Sequence, residues 1–159
     1  MKPFRKFSTN FLNSNGVSAL NDEKLHQELE KIIEYFIVSN EKIPVIVEGI
    51  NDVKALRNLE LTGRIISFNC GLSMVNFSEM IAKEYGIVIL LPDWDHKGIK
   101  IMKEWRKQFR ATDVKIVDDI WIKLFKITKK EITCVEELDR LVFRLRENAI
   151  KCDRRMPNH

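Results

Sequence analysis

Asp93 and Asp95 stand one residue apart, directly after the apolar run Ile87-Val88-Ile89-Leu90-Leu91. In an extended segment, residues i and i+2 point the same way, so both carboxylates can face one cation. Oxygen ligands with no imidazole or thiolate partner favour Mg²⁺, or Mn²⁺, over zinc. A second acid, Glu48, follows the apolar run Val45-Ile46-Val47 and precedes Gly49. Such a carboxylate can hold a metal or serve as general acid or base. The glycine beside it admits close approach by a phosphate. Asp52 lies one short turn onward and reads either as a site residue or as a cap in the first turn of a helix. Alone, an Asp-x-Asp step is an ordinary polar turn. Its place after one apolar strand, with Glu48 after another, points to metal-assisted phosphate chemistry.

Lys97 and Gly98 follow the acidic pair. Gly98 opens a helical pattern whose amino end favours an anion, and Lys97 can neutralise a phosphate there. Gly71 and Ser73 hold the equivalent place after the run Arg64 to Phe68. Both glycines also read as turn residues, and Ser73 as a helix cap. Lys100, Lys103, Lys107 and Arg110 recur at helical spacing. A stripe of this kind tracks a phosphate backbone or forms a solvated face.

These residues need a frame. Four short apolar runs, Ile43 to Val47, Arg64 to Phe68, Ile87 to Leu91 and Val114 to Val117, alternate with three helical patterns. Strands apolar on both faces, alternating with helices, predict an α/β fold with a parallel sheet covered on both sides. Right-handed crossovers place all the strand carboxyl ends on one edge, where ligands gather. Glu48, Gly71, Asp93, Asp95 and Asp118 then share that edge. Before the first strand, Asn21 caps an amphipathic helix carrying Leu25, Leu29, Ile32, Ile33 and Phe36. After the last, Asp118 leads into a short helix with Ile120, Trp121, Leu124 and Phe125. Thr133 and Glu136 form a capping box that opens a final helix. The expected organisation is a flexible arm over 1–20, one domain over 21–150 with its core at about 43–117, and a loose tail over 151–159.

The chain has 159 residues, 45% hydrophobic and 31% charged, which suits a single soluble globular domain. No uninterrupted apolar run is long enough to span a bilayer, and Met1 to Phe11 has no secretory apolar centre. A cytoplasmic protein with no membrane partner is expected. The net charge of +4 permits an anionic partner such as nucleic acid. Cys70, Cys134 and Cys152 are odd in number and far apart, so no zinc pair or disulfide framework is read from them. P-loop, dinucleotide and nucleophile-elbow motifs are absent.

Taken together, Val47-Glu48-Gly49-Ile50-Asn51-Asp52-Val53-Lys54-Ala55-Leu56, Gly71-Leu72-Ser73 and Asp93-Trp94-Asp95-His96-Lys97-Gly98 resemble the Toprim domain. That domain is shared by topoisomerases, bacterial-type primases, recombination proteins of the RecR kind, old-family nucleases and the ribonuclease that matures 5S ribosomal RNA. The resemblance covers about Ile43 to Val117. The whole chain, with Val135-Glu136-Glu137-Leu138 near its end, is similar to small stand-alone Toprim proteins of archaea. The resemblance implies a Rossmann-like fold with a four-stranded parallel core. It implies Glu48 as acid or base of phosphotransfer, Asp93 and Asp95 on Mg²⁺, and Asp52 in support. Lys97 departs from the pattern, standing where many members carry a third acid, and this leaves one or two metals open.

A topoisomerase needs a tyrosine nucleophile, and Tyr35 and Tyr85 both sit in or beside helical patterns. A primase needs domains that this length does not hold. The leading expectation is a small Mg²⁺-dependent nuclease on structured RNA rather than DNA. The RNA preference comes only from the likeness to the ribosomal RNA maturase. The alternatives are a non-catalytic nucleic-acid or ribonucleoprotein binding module, and an accessory subunit of a larger assembly.

Overall fold

The computed structural model describes residues 18–68 and 71–155. The apolar runs form four strands, β1 (Val45–Val47), β2 (Ile65–Ser67), β3 (Ile87–Leu90) and β4 (Lys115–Val117). They pair in parallel in the order β2-β1-β3-β4. Val45 stands opposite Ile65 on one side and Ile89 on the other, and Ile87 stands opposite Lys115. Val45, Ile46, Val47, Val88, Ile89 and Leu90 are wholly buried, as a sheet covered on both faces requires.

Among the described residues six helices surround the sheet: α1 (Ser18–Asn40), α2 (Ile50–Asn58), α3 (Met74–Glu84), α4 (His96–Ala111), α5 (Asp119–Thr128) and α6 (Leu138–Arg155). A 3-10 turn, Val135–Glu137, precedes α6. The chain winds outward from β1 to β2 and in the opposite sense from β3 to β4. Right-handed crossovers then put α3 and α4 on one face and α2 on the other. The packing agrees: α3 lies against α4, while α6 lies against α1 and α2, and α1 against α5. On the first face Phe68 meets the rings of Phe77 and Trp105 edge-on, at 5.1 and 6.1 Å between centroids. On the other, Phe36, Ile33, Leu124, Val142 and Leu145 fill the core. Winding direction reverses at the β1–β3 seam, and such a switch point leaves a crevice beyond the carboxyl ends of its two strands.

At the other edge of the sheet Asn40 closes α1. It is fully buried, its amide donates to the Ile43 and Arg64 carbonyls (3.2 and 3.0 Å), and its oxygen accepts from the Gly63 N–H (2.9 Å).

Several sequence expectations shift. α1 begins at Ser18, so Asn21 lies inside the helix and caps nothing. Of the expected arm over 1–20, residues 1–17 lie outside the described residues. α6 continues to Arg155, with Arg154 and Arg155 placed favourably at its carboxyl end, so 151–155 are helical rather than loose. Residues 156–159 and Cys70 lie outside the described residues. Among the described residues no helix is long and apolar enough to cross a membrane.

Candidate metal centre

The last sheet bond of β3 runs from the Leu91 N–H to the Ile46 carbonyl, at 2.9 Å. Pro92 follows and has no N–H to donate. From there the chain leaves the sheet, and distant elements take up its polar groups. The Asp93 N–H donates to Glu48 Oε1 (2.9 Å), which ties the ends of β3 and β1 together. The Val135 N–H donates to Asp93 Oδ1, also at 2.9 Å. The Trp94 N–H donates to the Thr133 carbonyl and its indole N–H to the Ile132 carbonyl, both at 2.8 Å. The Trp121 indole N–H of α5 reaches the Pro92 carbonyl at 2.8 Å and the Asp93 carbonyl at 3.4 Å.

Asp52 is the third residue of α2, mostly buried, and its Oδ2 accepts from the Gly49 N–H at 3.0 Å. It therefore does cap its helix, and the cap sets the turn directly after Glu48. Burial raises the carboxyls of Glu48 and Asp52 above their ordinary range. The charge of Asp52 adds to the rise at Glu48, while the Asp93 N–H and the Lys97 charge oppose it. Asp93 is pushed from the ordinary 3.8 to about 7, first by burial, against the Val135 N–H, and then by the charges of Glu48, Asp52 and Asp95. Acids crowded into a partly desolvated crevice call for a counter-charge, which a proton or a cation can supply.

The donor chemistry fits a hard cation. Glu48 and Asp93 each spend one oxygen on a main-chain N–H, leaving one oxygen apiece. Asp95 is exposed and caps α4, its Oδ1 accepting from the Gly98 N–H at 2.7 Å. Among the described residues, no group of three or more His, Cys, Asp or Glu side chains is gathered to hold an ion. Mg²⁺ bound through one or two carboxylates, with water and substrate phosphate completing the shell, matches this set; an all-protein cage does not.

The other expected site residues divide. Gly49 lies beside Glu48 with ordinary extended backbone, and a Cβ there meets nothing within 4 Å, so its flank is open. Lys97, Lys100, Lys103 and Lys107 are exposed on the first turns of α4 and beyond. Gly71 has a left-handed φ of 79° that favours glycine, and Ser73 caps α3 by accepting from the Asn76 N–H at 3.1 Å. Both serve the turn after the edge strand β2. Gly98 requires a correction. It is buried, its N–H is taken by Asp95, and an added Cβ would overlap the Asp93 carbonyl. It is a close-packing point between α4 and the acid loop, with no N–H left for a phosphate.

The Asp118 side chain does not cap α5. It pairs with Arg106 at 2.7 Å. The expected Thr133–Glu136 capping box does not form either. The N-cap position falls on Cys134, and Asp93 supplies the carboxylate for the Val135 N–H. Sequence reasoning missed this docking of 132–135 on the acid loop, and missed Trp121. Partners 28 to 42 residues away leave no local pattern.

A family model of the Toprim domain matches residues 44–137, more than half of the chain. The chain belongs to the Toprim domain family. The matched region takes in all four Toprim strands, the acids, and the 3-10 turn whose N–H meets Asp93. Similar small archaeal proteins carry the name UPF0292 protein. That of Thermoplasma volcanium is 40% identical over 99 residues, covering 62% of this chain and 82% of its own. That of Methanosarcina barkeri is 33% identical over 133 residues, covering 84% and 90%. A solved structure described as a putative protein from Aquifex aeolicus shares the fold, with a TM-score of 0.60 at 24% identity, over 69% of this chain and 96% of that one. Toprim domains are associated with metal-dependent action on nucleic acid, and this Toprim chain carries its acids where the fold's switch point lies.

Proposed function

We propose that this Toprim protein is a Mg²⁺-dependent nuclease that hydrolyses phosphodiesters in structured RNA. The observation that carries the reading is the pairing of Glu48 and Asp93. They leave neighbouring strands at the switch point, are tied by one hydrogen bond, and each keeps one oxygen clear of the main-chain N–H it accepts. Bound there, Mg²⁺ would supply Lewis acidity to the phosphodiester. Asp93 and Asp95 would hold the ion. Glu48, whose proton affinity burial raises, removes a proton from the attacking water or returns one to the leaving oxygen. Asp52 fixes the turn that carries Glu48. The open flank of Gly49 admits the phosphate, and Lys97 with Lys100, Lys103 and Lys107 draws in the backbone on either side. The choice of RNA over DNA rests on likeness to the Toprim ribonuclease of 5S ribosomal RNA.

The test incubates pure protein with structured RNAs and DNAs in Mg²⁺, Mn²⁺ or EDTA. Metal-dependent cleavage of RNA, lost in Glu48→Gln and in Asp93→Asn, is expected. Cleavage that persists unchanged in both variants defeats the assignment. A second reading, a binding module without turnover, is favoured by the lack of a three-ligand group among the described residues. It predicts salt-sensitive RNA binding that survives both substitutions, with no cleavage under any metal.

A further inference from the structure

We infer that Trp121 is a positioning residue for the metal-ligating carboxylate of Asp93, an inference that rests on the metal reading above. Beyond Leu91 the chain has no sheet partner before α4 begins, so groups from distant elements must fix the acid loop. Buried main-chain groups need partners. The Pro92 carbonyl has one in the Trp121 indole N–H, and the Asp93 carbonyl lies within 3.4 Å of the same nitrogen. Trp121 is itself held. Arg106 lies over its ring at 5.9 Å and is pinned by Asp118, and Phe125 packs beside it at 5.7 Å. Trp94 does the same from inside the loop, sending its indole N–H to the Ile132 carbonyl. That bond holds the segment whose Val135 N–H orients Asp93 Oδ1. Groups that orient a metal ligand without touching the metal govern affinity strongly.

The third tryptophan provides the control. Trp105 is fully buried in α4, and its indole N–H has no hydrogen-bond partner. Changing it to Phe removes a donor that orients nothing and the same second ring from the core, so it controls for lost packing. Trp121→Phe keeps a ring between Arg106 and Phe125 and removes only the donor and the second ring.

Two measurements on the full chain test the role. Free Mn²⁺, followed by electron paramagnetic resonance, gives the affinity for the metal alone. Amide hydrogen exchange in EDTA gives the order of the acid loop without metal. Trp121→Phe is expected to weaken Mn²⁺ binding by about 10–100-fold. The Asp93 and Trp94 amides should exchange faster while those of β1 and β3 keep their protection. Trp105→Phe should leave both readouts unchanged. Trp94→Phe, the second variant, should reproduce the Trp121→Phe result if that protein fails to fold. Wild-type Mn²⁺ affinity in Trp121→Phe overturns the role, as does an equal loss in Trp105→Phe. No Mn²⁺ binding by the wild-type protein sinks the metal reading, and unchanged Asp93 exchange in Trp121→Phe sinks the positioning role separately.

Discussion

Gly98 and Gly49 flank the acids and predict opposite outcomes when each becomes alanine. At Gly98 the new Cβ would overlap the carbonyl oxygen and carbon of Asp93 and stand 3.0 Å from its Cα. All three atoms are backbone, so the loop or the helix must move by on the order of 1 Å. Neither moves freely. Asp93 is tied through its N–H to Glu48 and through its carboxylate to Val135, and α4 is anchored by Met102, Trp105 and Phe109 in the core. Overpacking of this kind costs roughly 1–3 kcal/mol. For a chain of this size that lowers the melting temperature by roughly 2–12 °C. An ångström of displacement at a reacting group costs about 100-fold in rate, so cleavage should fall with stability. At Gly49 nothing lies within 4 Å of the new Cβ and the backbone is ordinary. The poorer N-cap and the stiffer unfolded chain offset one another, leaving stability within about 1 kcal/mol of wild type. Cleavage should still drop, because the added methyl fills the flank open to phosphate. Calorimetry in EDTA and a single-turnover cleavage assay read the two effects. A Gly98→Ala protein that melts with wild type refutes the packing argument, and a fully active Gly49→Ala protein refutes the role of the open flank.

Other outcomes follow from the same geometry. Asp93 keeps its proton to about 7 in the folded chain, whereas the unfolded chain releases it near 3.8, so its contribution to stability declines as pH rises between those values. Melting in EDTA should therefore flatten with pH in Asp93→Asn relative to wild type over that range, and Mg²⁺ should raise the wild-type melting temperature most above pH 7. Asn40→Ala strands the Gly63 N–H and takes a donor from the Ile43 carbonyl, while the Arg64 carbonyl keeps the Val45 N–H, and should cost roughly 1–3 kcal/mol by urea denaturation. Replacing Lys100, Lys103 and Lys107 together with alanine should shallow the salt dependence of RNA binding by about 2–3 in log–log slope, and an unchanged slope removes the stripe from the interface.

The positions of Glu48 and Asp93 were legible because each follows an apolar run that can only be a buried strand. Their shared edge followed from strands that alternate with helices and so run parallel. The order β2-β1-β3-β4 was not legible, since alternating strands and helices fit more than one winding. The readings that failed were local ones. Thr133 and Glu136 have the spacing of a capping box, but Trp94 takes the Thr133 carbonyl and Asp93 takes the Val135 N–H, so tertiary partners displace the local motif. Asp118 has the place of a cap or a site acid, but Arg106 claims it. Asp52, open from the sequence to a cap or a site role, does accept from the Gly49 N–H, and Asp95, read as a metal ligand, caps α4.

The Val135 N–H that orients Asp93 also sets an order of assembly. A growing chain carries Glu48, Asp52, Asp93 and Asp95 long before residue 135 exists to hold Asp93 in place. Until that segment folds back, the acids are present but unaimed. On the metal reading proposed above, a fragment ending short of Ile132 would carry every proposed ligand and lack the Val135 N–H that aims Asp93, so metal binding would report that the chain has been made and folded through the start of α6.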